Sequence, residues 1–141
     1  MENFKNIIKN ETLQKFQGEG VKFLESSKVK AGVVCDVYEF SNNKEKDLGI
    51  IRVKARHKTP LQKVLKGDKT IEIFIKGKGV LRVGKTKDDM IEYVYPETKT
   101  REIVVEVGQF MQWEAGEDNL TFAEICYPPY ENGRFENIKE D

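Results

Sequence analysis

The amino-acid sequence predicts an all-β protein built as an antiparallel barrel or sandwich. Short segments rich in β-branched and aromatic residues recur along the chain at roughly ten-residue spacing, which is typical of such folds. Gly, Pro, Asn and Asp are concentrated between these segments and favour turns there. No stretch longer than a few turns repeats its apolar residues with a helical period, so the only helix expected is a short turn at residues 3–9.

The predicted strands follow one another closely. The segment RHKTP at residues 56–60 should interrupt them, because proline cannot donate a hydrogen bond to a neighbouring strand. The polar runs SNNKEKD at 41–47 and GKTKDD at 84–89 predict turns, and KGDK at 66–69 predicts a turn that pairs the strands on either side of it. Strands are predicted at residues 21–24, 31–40, 49–55, 61–65, 70–75, 80–83, 90–95, 101–107, 108–113 and 120–127.

Length, charge and cysteine content limit the classes of function. The 141 residues correspond to one domain, residues 1–141, with a core at about 48–135 and N-terminal strands at 20–41. The 24 basic residues balance 24 acidic ones, so we expect no nucleic-acid partner. No window approaches the ~20 apolar residues of a membrane helix, and we expect a soluble, cytoplasmic protein with no membrane partner. Cys35 and Cys126 do not have the spacing of metal ligands, so we predict that they are buried thiols without a functional role.

One predicted strand carries a carboxylate among apolar residues. In TIEIFIKGKG, residues 70–79, strand alternation places Thr70, Glu72 and Phe74 on one face and the isoleucines on the other. A Gly-rich turn is expected after this strand. A charged side chain in such a strand lies either on an exposed face or at a site with a function.

A second stretch, GQFMQWEAGEDN at residues 108–119, predicts an apolar strand containing Trp113 and then a polar loop at 114–119. Together the two stretches resemble the two sequence motifs of the cupin family. In the first, Glu72 is followed after six residues by glycine, as in the second half of the family's first motif. In the second, the glycines and Asn119 reproduce the spacing of the second motif, with asparagine where that motif has histidine.

The resemblance implies a cupin-type antiparallel β-barrel, also called a double-stranded β-helix or jelly roll. A cupin metal is held by three imidazoles and one carboxylate, but the first motif's histidines would fall here at Lys66 and Asp68, or at Leu65 and Gly67. Only Glu72 remains of the four ligands. A lone carboxylate cannot hold a catalytic transition metal, so we predict a metal-independent barrel with no cofactor. The alternative is a weak hard-cation site on Glu72 and Asp68.

Glu72 has two interpretations. It lies on an exposed strand face or in an ion pair with Lys66 or Arg82, or it points into the barrel. In the barrel, loss of hydration would raise the pKa of Glu72 and make it a general acid or base. The register of the first motif favours the interior, because that position faces the cavity in cupins.

Five other side chains are candidates for the site. His57, the only histidine, is either exposed or an acid or base at the cavity mouth. Gln62 beside Glu72 would form a neutral hydrogen-bonding pair in place of metal ligands. Trp113 is either core or an aromatic wall of the cavity, Tyr93 either lines or fills that cavity, and Asn119 supplies a hydrogen-bond donor.

The resemblance to cupins implies an isomerase or epimerase acting on a sugar or sugar-derived small molecule, since some cupins act on sugars without a metal. Glu72 and His57 are the expected catalytic residues, and Gln62, Tyr93, Trp113 and Asn119 the expected substrate-binding residues. The alternative is a cupin module that binds a small polar ligand without chemistry, and a storage or scaffold role is a third possibility.

We also expect a homodimer. Cupins commonly form dimers, and the apolar strand at residues 32–40 would cover the exposed sheet edge of a partner.

Overall fold

The computed structural model describes residue 16, residues 20–131 and residues 133–139, which form an all-β structure. The helical turn expected at residues 3–9 lies outside this part of the chain. Within it, no helix has the length and apolar character needed to cross a membrane. The described residues contain nine strands: β1 (Val21–Lys30), β2 (Val33–Phe40), β3 (Asn43–Val53), β4 (Leu61–Val64), β5 (Lys69–Thr86), β6 (Asp89–Tyr95), β7 (Glu102–Glu106), β8 (Phe110–Tyr127) and β9 (Phe135–Ile138).

Two long strands, β5 and β8, organise the fold into two layers, because each pairs with different neighbours along its length. The first layer contains β1, β2, β3, residues 120–127 of β8, residues 69–77 of β5, and β7. The second contains β9, β4, residues 110–115 of β8, residues 79–86 of β5, and β6. All pairings are antiparallel, which confirms the predicted all-β, antiparallel fold class.

Strands β5 and β8 both bend where one layer passes into the other, and in β5 this bend lies at Gly77. Its φ of 102° lies in the left-handed region, and a Cβ there would overlap the carbonyl oxygen of Asn119. The four β8 residues 116–119 lie opposite only Lys78, so the bend takes the form of an enlarged bulge. The Gly-rich turn predicted to end the stretch 70–79 and the loop predicted at 114–119 were therefore wrong, since both segments belong to continuous strands.

Two further predictions of pairing were wrong. Strand β3 begins inside the predicted turn at 41–47, because its polar residues pair with β2, as Asp47 does with Glu39. Strand β4 does not pair with β5 across the turn at 66–69. It lies between β8 and β9, with Gln62 as one of the paired residues.

The apolar side chains form two clusters, one on each face of the first layer. The outer cluster contains Ile50 and Ile73, and Phe16 covers it with its ring 6.2 Å from that of Phe40. The inner cluster lies between the layers and stabilises their packing, since full burial of each large apolar side chain contributes about 1.5–3 kcal/mol. Its larger members are Ile51, Phe74, Leu81, Val83, Tyr95, Met111, Trp113, Leu120 and Phe122.

Candidate functional site

A cavity of about 770 Å³ lies beside the inner cluster. It opens where the first three strands of the first layer face β4 and β9, and its volume falls within the roughly 300–1,000 Å³ of small-molecule sites. Most of its wall is apolar. Polar side chains reach it from both layers, among them Asp47, Gln62, Glu72, Glu124 and Asn137.

Glu72 lies in the interior, on the inner face of β5 with Thr70 and Phe74, as the alternation predicted. Its side chain is 0% exposed. Oε1 accepts a hydrogen bond of 2.8 Å from Nε1 of Trp113, whereas no donor among the described residues reaches Oε2. Neither cation considered as its partner contacts it, since Arg82 pairs with two other glutamates, Glu92 and Glu114, and Lys66 pairs with Glu131.

The surroundings of Glu72 favour its protonated form. Burial raises the pKa of Glu72 well above its usual range, and the charge of Glu124 together with a hydrogen bond to it raises that pKa further. The hydrogen bond from Trp113 lowers the pKa of Glu72, but burial outweighs it. Glu72 therefore has the environment expected of an acid or base that works above the ordinary titration range of glutamate.

Trp113 is both core and cavity wall, so its two interpretations are not exclusive. Its ring stacks on Phe122 with 4.4 Å between the centroids and lies 5.7 Å from Tyr95. The indole is 2% exposed and borders the cavity. Because this packing fixes the ring, the N–H that Trp113 donates to Glu72 has a fixed direction.

Glu124 was missed by the sequence analysis. It lies on β8 directly opposite Glu72, and its side chain also borders the cavity. Burial raises the pKa of Glu124, while its hydrogen bond to Glu72 and the charge of Arg134 lower it. The signal was the same as for Glu72: a carboxylate in an apolar strand, two positions from Phe122 on the same face.

Gln62 lines the cavity but does not form the predicted pair with Glu72. Its Nε2 donates a 3.0 Å hydrogen bond to Oδ1 of Asn137 on the neighbouring strand. The prediction of that pair failed because it depended on β4 lying next to β5. The two amides remain available as polar groups in the second layer's part of the cavity wall.

Three predicted site residues lie away from the cavity wall. His57 is exposed, lies against Gly32 in the turn before β2, and has its Nδ1 3.0 Å from the carbonyl oxygen of Ala55. Asn119 is exposed at the bulge and accepts a 2.9 Å hydrogen bond from the Ala55 N–H. Tyr93 is half-buried and packs against the inner cluster. The structure does not bring these three together with Glu72.

The cysteines are free thiols at the cavity wall. Burial raises the pKa of Cys35 to about 12 and raises the pKa of Cys126 as well, in both cases reinforced by neighbouring carboxylates. Both thiols therefore stay protonated near neutral pH. Cys126 is buried as predicted and Cys35 partly so.

Comparison with solved structures identifies the architecture. CapF from Staphylococcus aureus, a capsular polysaccharide assembling protein, superposes with a TM-score of 0.67 at 13% identity over 84% of this chain and 35% of its own. A cupin-2 domain protein from Rhodospirillum rubrum superposes with a TM-score of 0.63 at 17% identity, over 86% of this chain and 77% of its own. The chain has the cupin fold. It spans about a third of the length of CapF. A third similar structure, Streptomyces PAC13 with uridine, has a TM-score of 0.58 at 11% identity over 86% of this chain and 87% of its own.

Sequence comparisons add no relative. No family model matches the chain, and no curated protein matches it. The solved structures, and not a sequence match, confirm at the level of the fold the resemblance to cupins that was inferred from motif spacing.

The residues present do not fit the metal of a cupin. Glu72 already accepts a hydrogen bond, and Asn119 and Asp68 are exposed and outside the cavity wall. Among the described residues, no group of three or more His, Cys, Asp and Glu side chains is arranged to hold a metal ion. The alternative cation site on Glu72 and Asp68 lacks the required proximity, because Asp68 lies in the exposed turn before β5.

Proposed function

We propose that the cavity binds a small carbohydrate-like ligand and that Glu72 exchanges a proton with it, in an isomerase- or epimerase-type reaction without a metal. The observation that carries this proposal is the position of Glu72, fully buried at the cavity with one oxygen held by Trp113. No hydrogen-bond donor among the described residues reaches the other oxygen, Oε2. A carboxyl with a raised pKa in such a place is suited to general acid–base catalysis.

The carbohydrate class rests on the fold neighbours. CapF is named a capsular polysaccharide assembling protein, and PAC13 was solved with uridine, which contains a ribose. The polar groups of the cavity suit such ligands, since the amides of Gln62 and Asn137 and the carboxyl of Glu72 can bind hydroxyl groups.

The test is a screen for solvent exchange. Keto and aldose sugars and their nucleotide conjugates are incubated with the protein in deuterated water, and NMR follows deuterium into the carbon adjacent to the carbonyl. Incorporation of deuterium with at least one sugar supports the proposal. Absence of exchange and of any change in Trp113 fluorescence with every candidate would overturn it.

The second candidate function is a binding module without chemistry. It is favoured by the position of His57, which lies outside the cavity wall and cannot act there as the partner acid or base. A change in Trp113 fluorescence that saturates with ligand, without deuterium incorporation, would support the module over the enzyme. Trp113 is the only tryptophan, so this signal reports the cavity directly.

We also predict that the protein works without a bound transition metal. Untagged protein should carry well under one equivalent of Fe, Mn, Ni, Co or Zn by elemental analysis. A chelator should leave its melting temperature unchanged, because no metal contributes to folding. Stoichiometric metal that survives dialysis would contradict this prediction.

A homodimer remains a proposal, with a corrected surface. The strand at residues 33–40 lies between β1 and β3 and so has no free edge to cover a partner. One edge of the first layer is β1, where Phe23, Leu24 and Val29 are 38%, 49% and 44% exposed. Light scattering should give about twice the 16.3 kDa chain mass, and Leu24→Lys should shift it toward one chain. A wild-type mass near one chain would contradict the dimer.

A further inference from the structure

The pairing of β5 with β8 places two carboxyl groups face to face. Glu72 and Glu124 are direct partners in the antiparallel ladder, and both side chains point to the cavity. Directly opposed side chains on one face have Cβ atoms roughly 4.5–5.5 Å apart, close enough for their carboxyl groups to meet. The two groups are therefore neighbours at the floor of the site.

Glu72 is fully buried and Glu124 half-buried, and two carboxylates at this distance in such a site cannot both be ionised without a compensating charge. Arg134 does not supply one by contact, because its guanidinium hydrogen bonds go to carbonyl oxygens and to Thr70. Apart from the carboxyl of Glu124 itself, no hydrogen-bond donor among the described residues reaches the Oε2 atom of Glu72. The other titratable groups that act on the pair are Asp47 and Arg134, through their charges, and Cys126, whose thiol donates a hydrogen bond to Glu124.

We propose that Glu72 and Glu124 share one proton and act as a pair on the ligand, one as general acid and the other as general base. This assignment of Glu124 as a second catalytic residue rests on the proposed function for its reaction. The sharing of the proton rests only on the geometry of the two side chains.

The pair can interconvert an aldose and a ketose without any other reactant. The ionised carboxylate removes the proton from the carbon next to the carbonyl, and the C–H electron pair forms the C=C bond of an enediol. The carbonyl oxygen takes the proton of the second carboxyl. The first carboxyl then returns its proton to the former carbonyl carbon. The hydroxyl on the neighbouring carbon, from which the first proton was taken, gives its proton to the second carboxylate and becomes the new carbonyl. One proton has moved between adjacent carbons, and both carboxyls are restored.

The pair also affects which ligand groups can bind directly beside it, whereas Lys44 and Lys46 border other parts of the cavity wall. One negative charge shared in a poorly hydrated site repels anions, and Asp47 adds a further acidic group to the same wall. The part of the ligand that reaches Glu72 and Glu124 should therefore carry hydroxyl or amino groups. A phosphate or carboxylate group should be excluded from that position.

The single tryptophan allows the shared proton to be measured without a ligand. The indole N–H of Trp113 donates to Glu72, so its ¹H–¹⁵N NMR signal should move as the pair titrates. In wild-type protein we expect the pH midpoint of this titration step of the Trp113 signal to lie above the ordinary range of glutamate. In Glu124→Gln the step should move to lower pH, because the like charge is gone and the new amide can donate to Glu72. In Glu72→Gln the step should disappear.

The matched control is Glu106→Gln, which removes an exposed carboxyl of β7, the strand that pairs with β5, outside the cavity wall. It should leave the Trp113 step in place. A step that does not move in Glu124→Gln would overturn the shared proton. If the variants do not fold, ¹³C-carboxyl labelling of glutamate in wild-type protein decides instead: two signals with ordinary, independent titrations would overturn it.

The catalytic role has its own readout. With any sugar that exchanges deuterium, Glu124→Gln should lower the exchange rate by at least about 10²-fold, the lower end of a general acid or base contribution. Glu106→Gln should keep the wild-type exchange rate. Unchanged exchange in Glu124→Gln would overturn the role of Glu124, whereas failure of every sugar would affect the proposed function and leave the titration result standing.

Discussion

Arg134→Ala should lower the free energy of unfolding by about 3–5 kcal/mol, since each hydrogen bond of a charged group contributes about 1.5–3 kcal/mol and the contributions are not additive. Arg134 is 1% exposed. Its guanidinium donates to the carbonyl oxygens of Lys69, Tyr127 and Pro128 and to Oγ1 of Thr70, at 2.7 to 3.3 Å. One side chain thus ties β5, the end of β8 and the segment before β9 together.

The measurement is urea unfolding, with Lys66→Ala as the matched control. Lys66 lies in the same region, but its 3.2 Å ion pair with Glu131 is exposed and contributes at most about 1 kcal/mol. Arg134→Lys should recover only part of the loss, because an ammonium group cannot reproduce the planar fork of donors. Equal unfolding midpoints for Arg134→Ala and Lys66→Ala would contradict this account.

Local sequence patterns predicted which residues face inward better than they predicted where strands end. The alternation around Glu72 was correct because burial of one face imposes a two-residue period. The predictions of strand ends were wrong where glycine and polar residues form a bend within a strand and not a turn between strands, as at Gly77 and residues 116–119. Both features depend on how β5 pairs with β8, and the sequence of one segment alone does not show that pairing.

Individual residues of the candidate site could be predicted from the strands that contain them, but how these residues meet in space could not. Glu72 and Trp113 were each identified from their own segments, and they meet in the structure. His57 and Asn119 were assigned to the cavity by analogy, but their positions depend on packing around residues 54–58 and the β8 bulge. Glu124 could have been recognised as a carboxylate in an apolar strand, yet its pairing with Glu72 requires the register of β5 and β8.

Glu72→Gln should abolish most of the activity and stabilise the fold at high pH. The glutamine amide keeps the shape of the side chain and can accept the Trp113 hydrogen bond, but it cannot exchange a proton. Sugar-dependent deuterium exchange should fall by at least about 10²-fold. Far-UV circular dichroism should match that of wild type, because no volume is lost from the core.

The effect on stability has a defined sign. The pKa of Glu72 is raised in the folded protein, so between the ordinary glutamate value of 4.5 and the folded value the native state binds more protons than the unfolded chain. Wild-type stability therefore falls as pH rises through this window, and this contribution is absent from Glu72→Gln. The variant should match wild type in urea unfolding at pH 4 and exceed it at pH 8.

Glu106→Gln is the matched control, because Glu106 is an exposed glutamate on β7, which pairs with β5. It should change neither the exchange rate nor the pH dependence of stability. Full exchange activity in Glu72→Gln would remove Glu72 from the reaction. Lower stability than wild type at pH 8 would mean that Glu72 is ionised and stabilised in the fold, since only a favourable interaction of the charged form would then be lost.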